Sequence, residues 1–580
     1  MLVVLGPAPA SAGAPGTWWA LDVDGDDGTP LAVCPADAVA GLVRDLPAHL
    51  GLPAGDVRWV LSSVSPEYAA WLAEGVRVRR AWDLSLSQRI LTTAATAAGA
   101  GLAYTPVGSI PVHVPEDPLA MPVRRGPEQD AFFDLSDAPA QGVLDAPTLV
   151  AEARAQRAAI GGSARPERLW MLVTAESQGA LIAEEMHAAG LPWDAAVHDA
   201  LLTEALGPRP AEGERPARLQ ELAEQVAQDL GSPGLNPDSP PALLRALQTA
   251  GVTVDSTRQW DLKHWIDSGG ALRQDRARML AALLDYKARS RLHTANGWHW
   301  LDTWVRDGRF RPRYLVGGVV TGRWAAHGGG AMQVPAVVRD AVRADPGHVL
   351  TVADASQVEP RILAAMSGDA ALALAGTTPD LYREVAEQGR SRGTALDDRS
   401  RAKVALLGAM YGSTTGDSAA LLPHLRRLYP QAIGLLERAA AVGESGGQVC
   451  TWLGRWSPPP EQDWLDTVAD RQTQAAESRA RSMRRTAGRF TRNFVVQGTA
   501  AEWALCWMGE IRRRLHQKAP GTDLVFFVHD EVVLHGPAEE AAVGEVVAEA
   551  AEAAGRLLFP GAPVTFPLTV AAVRSYAEAK

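Results

Sequence analysis

Apolar and polar positions alternate in short blocks at the start of the chain and take up helical spacing further on. Residues 1–165 hold β-prone runs at Trp18 to Val23 and Val57 to Leu61, set between Ala-rich helical stretches. The run Gly161-Gly162-Ser163-Ala164-Arg165-Pro166 predicts a boundary. Residues 176–310 read as mainly helical, with an Ala/Glu-rich stretch broken by Gly231 to Pro241. Residues 311–370 and 505–580 carry strand-like runs, and 371–500 are helical again. There is no internal repeat.

Three short segments stand out from this background. In the first, Phe526-Phe527-Val528-His529-Asp530-Glu531-Val532-Val533-Leu534, two β-prone runs flank His-Asp-Glu. The pattern predicts a hairpin with two carboxylates at its tip. Adjacent carboxylates repel, so the tip is either a solvated turn or a place for a bound cation. The second segment is a strand, Val349 to Ala353, ending at Asp354, with an apolar helix over Ile362 to Met366. If both strands share a sheet, Asp354 meets the hairpin tip. Ser356-x-x-Glu359 fits a capping box, but Pro360 suits a helix that begins at Pro360 itself, which leaves Glu359 facing a ligand. In the third segment Arg399, Lys403, Leu407 and Tyr411 are spaced by four. On a helix they form one slowly drifting stripe, either an ordinary amphipathic face or a triphosphate site with a base or sugar beyond it.

Taken in order, these segments resemble the polymerase motifs of family A DNA polymerases, the bacterial DNA polymerase I group. Asp354-Ala-Ser-Gln-Val-Glu-Pro-Arg361 is similar to D-Y-S-Q-I-E-L-R, and Arg399, Lys403 and Tyr411-Gly412 match R-x3-K-x3-F/Y-x3-Y-G. Val528 to Glu531 is V-H-D-E unchanged. Flanking segments extend the likeness: Thr321-Gly322-Arg323 with Gln333, Thr451-x-x-Gly454-Arg455, Arg489 with Asn493 and Gln497-Gly498-Thr499-Ala500, and Leu235-Asn236-Pro237-x-Ser239-Pro240. The resemblance covers roughly residues 166–580.

The resemblance implies an α+β right-hand fold with an antiparallel palm sheet and helical fingers and thumb. Ahead of it would lie an α/β ribonuclease H-like, 3′–5′ exonuclease-type domain, with no 5′-nuclease domain before that. The expected bounds are 1–165 for the exonuclease-like domain, 166–310 for the thumb, 311–370 and 505–580 for the palm, and 371–504 for the fingers. By the same resemblance Asp354 and Asp530 would hold two Mg²⁺ ions for nucleotidyl transfer, with Glu531 in support. Arg399 and Lys403 would hold the triphosphate, and Lys403 would protonate the departing pyrophosphate. Gln357, Glu359, Leu407 and Tyr411 would lie at the nucleotide, Glu359 excluding a ribose 2′-hydroxyl and Tyr411 guarding the templating position. Arg323, Gln333, Arg489, Asn493, Gln497 and His529 would contact primer-template DNA. Two residues depart from the pattern. Leu407 stands where the family has Phe or Tyr, and Ala355 where it has Tyr. Both remove aromatic surface without removing a carboxylate or a cation.

Composition fits an enzyme of several domains, with 580 residues, 47% apolar and 21% charged. A net charge of −11 opposes DNA binding only if spread evenly, and it is not: residues 478–492 hold six Arg and no acid, while 537–553 is acidic. Cys34, Cys450 and Cys506 are isolated, without zinc or disulfide spacing, as in a cytoplasmic protein. The first residues lack the basic start of a signal peptide, and no run approaches the ~20 apolar residues of a membrane span. A monomer with no membrane partner is expected.

The exonuclease motifs look degenerate. Asp22 and Asp24 stand either for the first carboxylate pair or, with Asp26 and Asp27, for an acidic turn. Trp82-Asp83-Leu84 resembles F-D-T, which places Pro66-Glu67 at the second carboxylate. The third motif falls at Leu149 and Ala153, where both residues are missing, and His113-x3-Asp117 contains Pro115. The leading expectation is a DNA polymerase without proofreading. A polymerase with residual exonuclease, a single-subunit RNA polymerase and a non-catalytic DNA-binding relative are the alternatives; Glu359 and intact V-H-D-E oppose the RNA polymerase, and Asp354, Lys403 and Asp530 together oppose the non-catalytic relative.

Overall fold

The computed structural model describes every residue except 12–14, 26–27, 112–143, 212, 328–333, 414–415, 471, 541 and 580. The chain forms two compact units, one of Met1–Gly190, Pro312–His327 and Gly347–Ala572, the other of Leu191–Arg311, Gly328–Pro346 and Val573–Lys580.

The first unit begins with a five-stranded sheet in the order Ala32–Pro35, Thr17–Asp22, Leu2–Pro7, Arg58–Leu61, Ala81–Asp83. Thr17–Asp22 runs antiparallel to both neighbours, while Leu2–Pro7, Arg58–Leu61 and Ala81–Asp83 run parallel. This is the α/β sheet expected of the N-terminal region. Its central strand, Leu-Val-Val-Leu-Gly-Pro, is apolar because it is covered on both faces. The helix Ala146–Gly162 packs on it so closely that a Cβ on Gly6 would lie 2.8 Å from the Leu149 side chain.

A second sheet in the same unit carries the candidate site, in the order Asp523–Val528, Glu531–Pro537, His348–Ala355, Leu568–Val573. The first three strands are antiparallel neighbours. Val525, Phe526, Val532 to Leu534, Leu350 and Val352 are buried, so this sheet too is covered by helices. Pro166–Ala189 packs on the Asp523–Val528 strand and Val543–Leu558 on the His348–Ala355 strand.

One helix of 45 residues, Gln474–Lys518, runs through this unit. Thr473 caps it by accepting from the Ala476 N–H. Its first turns expose Arg479, Arg481 and Arg485, and Phe494 to Met508 then sink into the core. Helix length therefore carries the basic run away from the apolar core that anchors it.

The second unit is mainly helical, with Ala217–Asp229 packed on Arg273–Asn296. The expected interruption falls between Ala217–Asp229 and Pro240–Thr249. A small sheet of Leu191–Pro192, Arg309–Phe310 and Val305–Arg306 supports a cluster of Trp193, His198, Trp300 and Phe310. Among the described residues no helix is long and apolar enough to cross a membrane.

Candidate active site

Two strand ends bring the expected carboxylates together. Asp354 lies directly across from Glu531 in the strand pairing. The hairpin loop is only His529 and Asp530, with His529 in the left-handed region at φ 57°. The Ala355 N–H donates 2.9 Å to the Asp530 carbonyl, which fixes the loop beside Asp354. Glu531, expected at the tip, is instead the buried first residue of the return strand. Burial, and then the charge of Asp354, push the Asp530 carboxyl up to about 6. His529 is pushed down by burial and by Arg323.

Among the described residues no group of three or more His, Cys, Asp and Glu side chains could hold a metal ion. A pair of carboxylates is nonetheless sufficient for Mg²⁺, which binds through one or two carboxylates and takes its other ligands from phosphate oxygens and water. Asp354 and Asp530, close enough for one to raise the other's pKa, fit that need.

The helix after Asp354 does not begin at Pro360, as its sequence suggested. It runs Val358–Ser367, capped by Gln357 at φ 60°. Pro360 is then the third helical position, where no backbone N–H is required. Glu359 is held by two partners: Arg323 donates to it at 2.5 Å and the Tyr411 hydroxyl at 2.6 Å. Gln357 accepts from the Leu381 N–H at 2.8 Å and donates to Asp380 at 3.0 Å, so it acts here as a strut. Arg361, quoted above only as part of a motif, is fully buried and donates to the carbonyls of Ser356, Gly376, Thr378, Pro379 and Thr565. Burial pushes its guanidinium down to about 10.

The stripe of four lies on one helix, Arg399–Tyr411, capped by Asp398 and closed by Gly412 at φ 70°. Ala402, Ala405, Leu406, Ala409 and Met410 are buried, which leaves Arg399, Lys403 and Tyr411 exposed and Leu407 half-buried. Arg399 pairs with Asp380 at 2.6 Å. Gly412 is constrained twice, since a Cβ there would also lie 2.7 Å from Arg489.

Arg489 is exposed, and Asn493 and Gln497 follow it half-buried on the same helix face. The flanking segments interlock behind them. Gly322, at φ 88°, allows Arg455 Nε to sit 2.6 Å from where a Cβ would be. Arg455 forms a buried ion pair with Glu176. Glu502 accepts from the Thr451 hydroxyl and from the Leu453 N–H. A Cβ on Gly498 would meet Thr451 at 2.4 Å and the Thr321 carbonyl at 2.9 Å. Arg455 is marked in the sequence by the T-x-x-G-R segment, whereas nothing there marks its partner Glu176 or the neighbouring Glu502. Gln333 lies outside the described residues.

Of the N-terminal carboxylates, Glu67 and Asp83 are close enough for the charge of Asp83 to help raise the Glu67 carboxyl, but no group of three or more His, Cys, Asp and Glu among the described residues could hold a metal ion. Asp22 ends an edge-side strand opposite Val3 and accepts from the Asp24 N–H at 3.1 Å, an ordinary turn. Asp24 pairs with Arg157 at 2.7 Å. Asp83 is buried, accepting from the Val64 and Leu86 N–H groups and the Ser85 hydroxyl. Leu149 and Ala153 are buried in the core. Asp26, Asp27, His113 and Asp117 lie outside the described residues.

A palm-like antiparallel sheet with carboxylates at its strand ends, beside a helix with an exposed cationic stripe, defines an α+β right-hand polymerase fold. Residues 211–572 match the model of DNA polymerase family A, and the chain belongs to that family. It is 30% identical over 257 residues to a thermostable DNA polymerase I of Thermus filiformis, covering 41% of this chain and 29% of that protein. It is 31% identical over 248 residues to DNA polymerase I of Chloroflexus aurantiacus, covering 40% of this chain and 26% of that one. The matched region thus spans less than a third of either relative. The fold is similar to the POL domain of Pol1 from M. smegmatis in complex with DNA primer-template and dNTP, with a TM-score of 0.64, 19% identity, and 97% of this chain and 93% of that one covered. Family A DNA polymerases generally use divalent metal ions.

Proposed function

We propose that this protein is a template-directed DNA polymerase that extends a primer 3′ end with deoxynucleoside triphosphates. The observation that carries the reading is the Asp354–Asp530 pair, held together by the Ala355–Asp530 backbone bond. In the reaction the primer 3′-oxygen attacks the α-phosphorus, that bond forms, and the bond to the pyrophosphate oxygen breaks. Two bound Mg²⁺ ions would supply activation of the hydroxyl and stabilisation of charge on the leaving oxygens. Asp354 and Asp530 would hold them, with buried Glu531 behind. Arg399 and Lys403 would grip the triphosphate, Arg399 first exchanging its bond to Asp380, and Lys403 would give a proton to the pyrophosphate. Leu407 and Gln357 would border the nucleotide, and Tyr411 the templating position. Glu359, oriented by Tyr411 and Arg323, would exclude a 2′-hydroxyl.

Arg323, Gln333, Arg489, Asn493, Gln497 and His529 would contact the duplex near the primer end, where minor-groove and phosphate contacts test pair shape rather than sequence. In this reading 166–310 is the thumb, 311–370 with 505–580 the palm, 371–504 the fingers, and 1–165 an exonuclease-like domain that does not proofread. A cytoplasmic monomer belongs to the same reading, an expectation set by the work of copying DNA. Against a non-catalytic DNA-binding relative stand both strand-end Asp residues and an exposed Lys403.

Primer extension with Mg²⁺ tests the proposal, comparing deoxynucleotides with ribonucleotides. Asp354→Asn and Asp530→Asn should each nearly abolish extension and leave primer-template affinity almost unchanged. Near-normal extension by either variant would remove this site from the mechanism.

A further inference from the structure

A cavity of about 870 Å³ lies in the first unit, away from every residue assigned above to nucleotide addition. Its walls come from the N-terminal sheet region, the Pro166–Ala189 helix and the C-terminal half of the Gln474–Lys518 helix. Arg58 opens one parallel strand, and Arg79 and Arg80 directly precede the next. The cavity therefore sits at the amino ends of those strands. Asp83, the residue that matches the exonuclease pattern there, is at the opposite, carboxyl end.

Seven arginines line this cavity. Three are neutralised: Arg77 pairs with Asp523, Arg512 with Glu185 and Arg513 with Glu510. The other four, Arg44, Arg58, Arg79 and Arg80, have no recorded carboxylate partner among the described residues. Arg44 reaches only the Glu74 carbonyl at 3.4 Å. Arg58 reaches the Ala81 carbonyl at 3.4 Å and lies 6.0 Å from the Trp170 ring. Arg79 lies 3.0 Å from a ring nitrogen of His516, which is not a carboxylate. Asp56 is the remaining carboxylate of the lining, one against these four arginines, so the cavity keeps an excess of positive charge; burial and the like charge of Arg80 depress the Arg58 pKa accordingly. Guanidinium forks match phosphate oxygens. Between the charges the wall is apolar, with Pro47, Met171 and Leu515. A concave space of this size suits a small molecule better than an extended strand.

We propose that this cavity is a second, metal-independent binding site for a small phosphorylated ligand of nucleotide size. Its phosphates lie on Arg44, Arg58, Arg79 and Arg80, and its uncharged body lies on the apolar wall. The site stands apart from the polymerase reading and does not depend on it.

Calorimetric titration of the full chain in EDTA tests it, with adenosine diphosphate, inorganic tripolyphosphate and adenosine as probes. The two phosphates should bind one per chain, and adenosine should not. Tighter binding of the diphosphate assigns a nucleotide; equal binding assigns the phosphate group alone. Arg58→Gln with Arg80→Gln should weaken binding at least tenfold with melting temperature unchanged, whereas Arg399→Ala with Lys403→Ala should leave it intact. If the first pair unfolds, Arg44→Gln with Arg79→Gln, both exposed, tests the same charge. The proposal is overturned by no binding without metal, by binding lost only in the Arg399/Lys403 variant, by adenosine binding as well as its diphosphate, or by a short single-stranded oligonucleotide displacing the probe more strongly than tripolyphosphate.

Discussion

The Tyr411 hydroxyl donates a 2.6 Å hydrogen bond to Glu359, a residue 52 positions earlier in the chain. Arg323 holds the other oxygen of the same carboxylate at 2.5 Å. Residues from two other motif segments thus fix one side chain, and in the proposed function its orientation would bear on sugar choice. A carboxylate against the sugar edge excludes a 2′-hydroxyl by size and by repulsion between lone pairs. Glu359→Ala should raise ribonucleotide incorporation relative to deoxynucleotide. Tyr411→Phe should raise it less. A hydrogen bond to a charged group contributes roughly 1.5–3 kcal/mol, and at 44% exposure of Tyr411 the lower figure applies, about a tenfold change. Single-nucleotide incorporation with matched dNTP and NTP measures both ratios. If neither variant shifts its ratio, the carboxylate only shapes the start of its helix.

Features of the site set by local periodicity were legible in the sequence. The two-strand hairpin with Asp530 follows from β-prone runs around a polar pair, and the Arg399–Tyr411 stripe from a spacing of four. What the sequence could not show depends on partners distant in the chain. Gln357 reads only as a ligand contact, and its bonds to Asp380 and the Leu381 N–H, more than twenty positions on, carry no mark in the sequence. Arg361 looks like one more cation but spends every donor on carbonyls as far away as Thr565. The Arg455–Glu176 pair joins residues 279 positions apart, and no local pattern marks it. The start of the Val358–Ser367 helix was misplaced by two residues because Pro360 is tolerated throughout the first turn, not only at its first position.

Leu407 sits half-buried between Lys403 and Tyr411 on the cationic helix. A ring stacked on a base or sugar contributes roughly 1–3 kcal/mol, of which an aliphatic side chain recovers only part. Leu407→Tyr should therefore tighten dNTP binding, roughly fivefold or more, and ease acceptance of 2′,3′-dideoxynucleotides. Pre-steady-state titration of nucleotide on a primer-template complex reads the change. A weaker affinity in the variant would show that the pocket has closed around the leucine.

The protein should not trim a mismatched primer with the carboxylates of residues 1–165. Metal-assisted hydrolysis needs carboxylates that converge, whereas Asp24 is committed to Arg157 and Asp83 to capping and loop hydrogen bonds. The central strand Leu2–Pro7 carries no carboxylate at all. Given a mismatched 3′ end with Mg²⁺ or Mn²⁺ and no nucleotide, the protein should leave the primer at full length. Shortening that disappears in the Asp22→Ala, Asp24→Ala double variant would establish a working exonuclease.

Glu67, in the helix Glu67–Ala73, gives the fold a pH dependence of definite sign. Burial pushes its carboxyl up from 4.5 to about 7, and the charge of Asp83 adds to the rise. Between those values the folded protein keeps a proton that the unfolded chain has released. Stability must then fall as pH rises through that window and level off above it. At about 1.36 kcal/mol per unit, the shift corresponds to an upper bound of roughly 3 kcal/mol. Asp83, also raised by burial, contributes a slope of the same sign, so the informative quantity is a difference between proteins. Glu67→Gln keeps the shape and removes the ionisation. Its melting temperature should change less than that of the parent between pH 5 and pH 8, and the two curves should separate most at the alkaline end. Parallel curves across the range would mean that Glu67 ionises in the folded protein as it does in the unfolded chain.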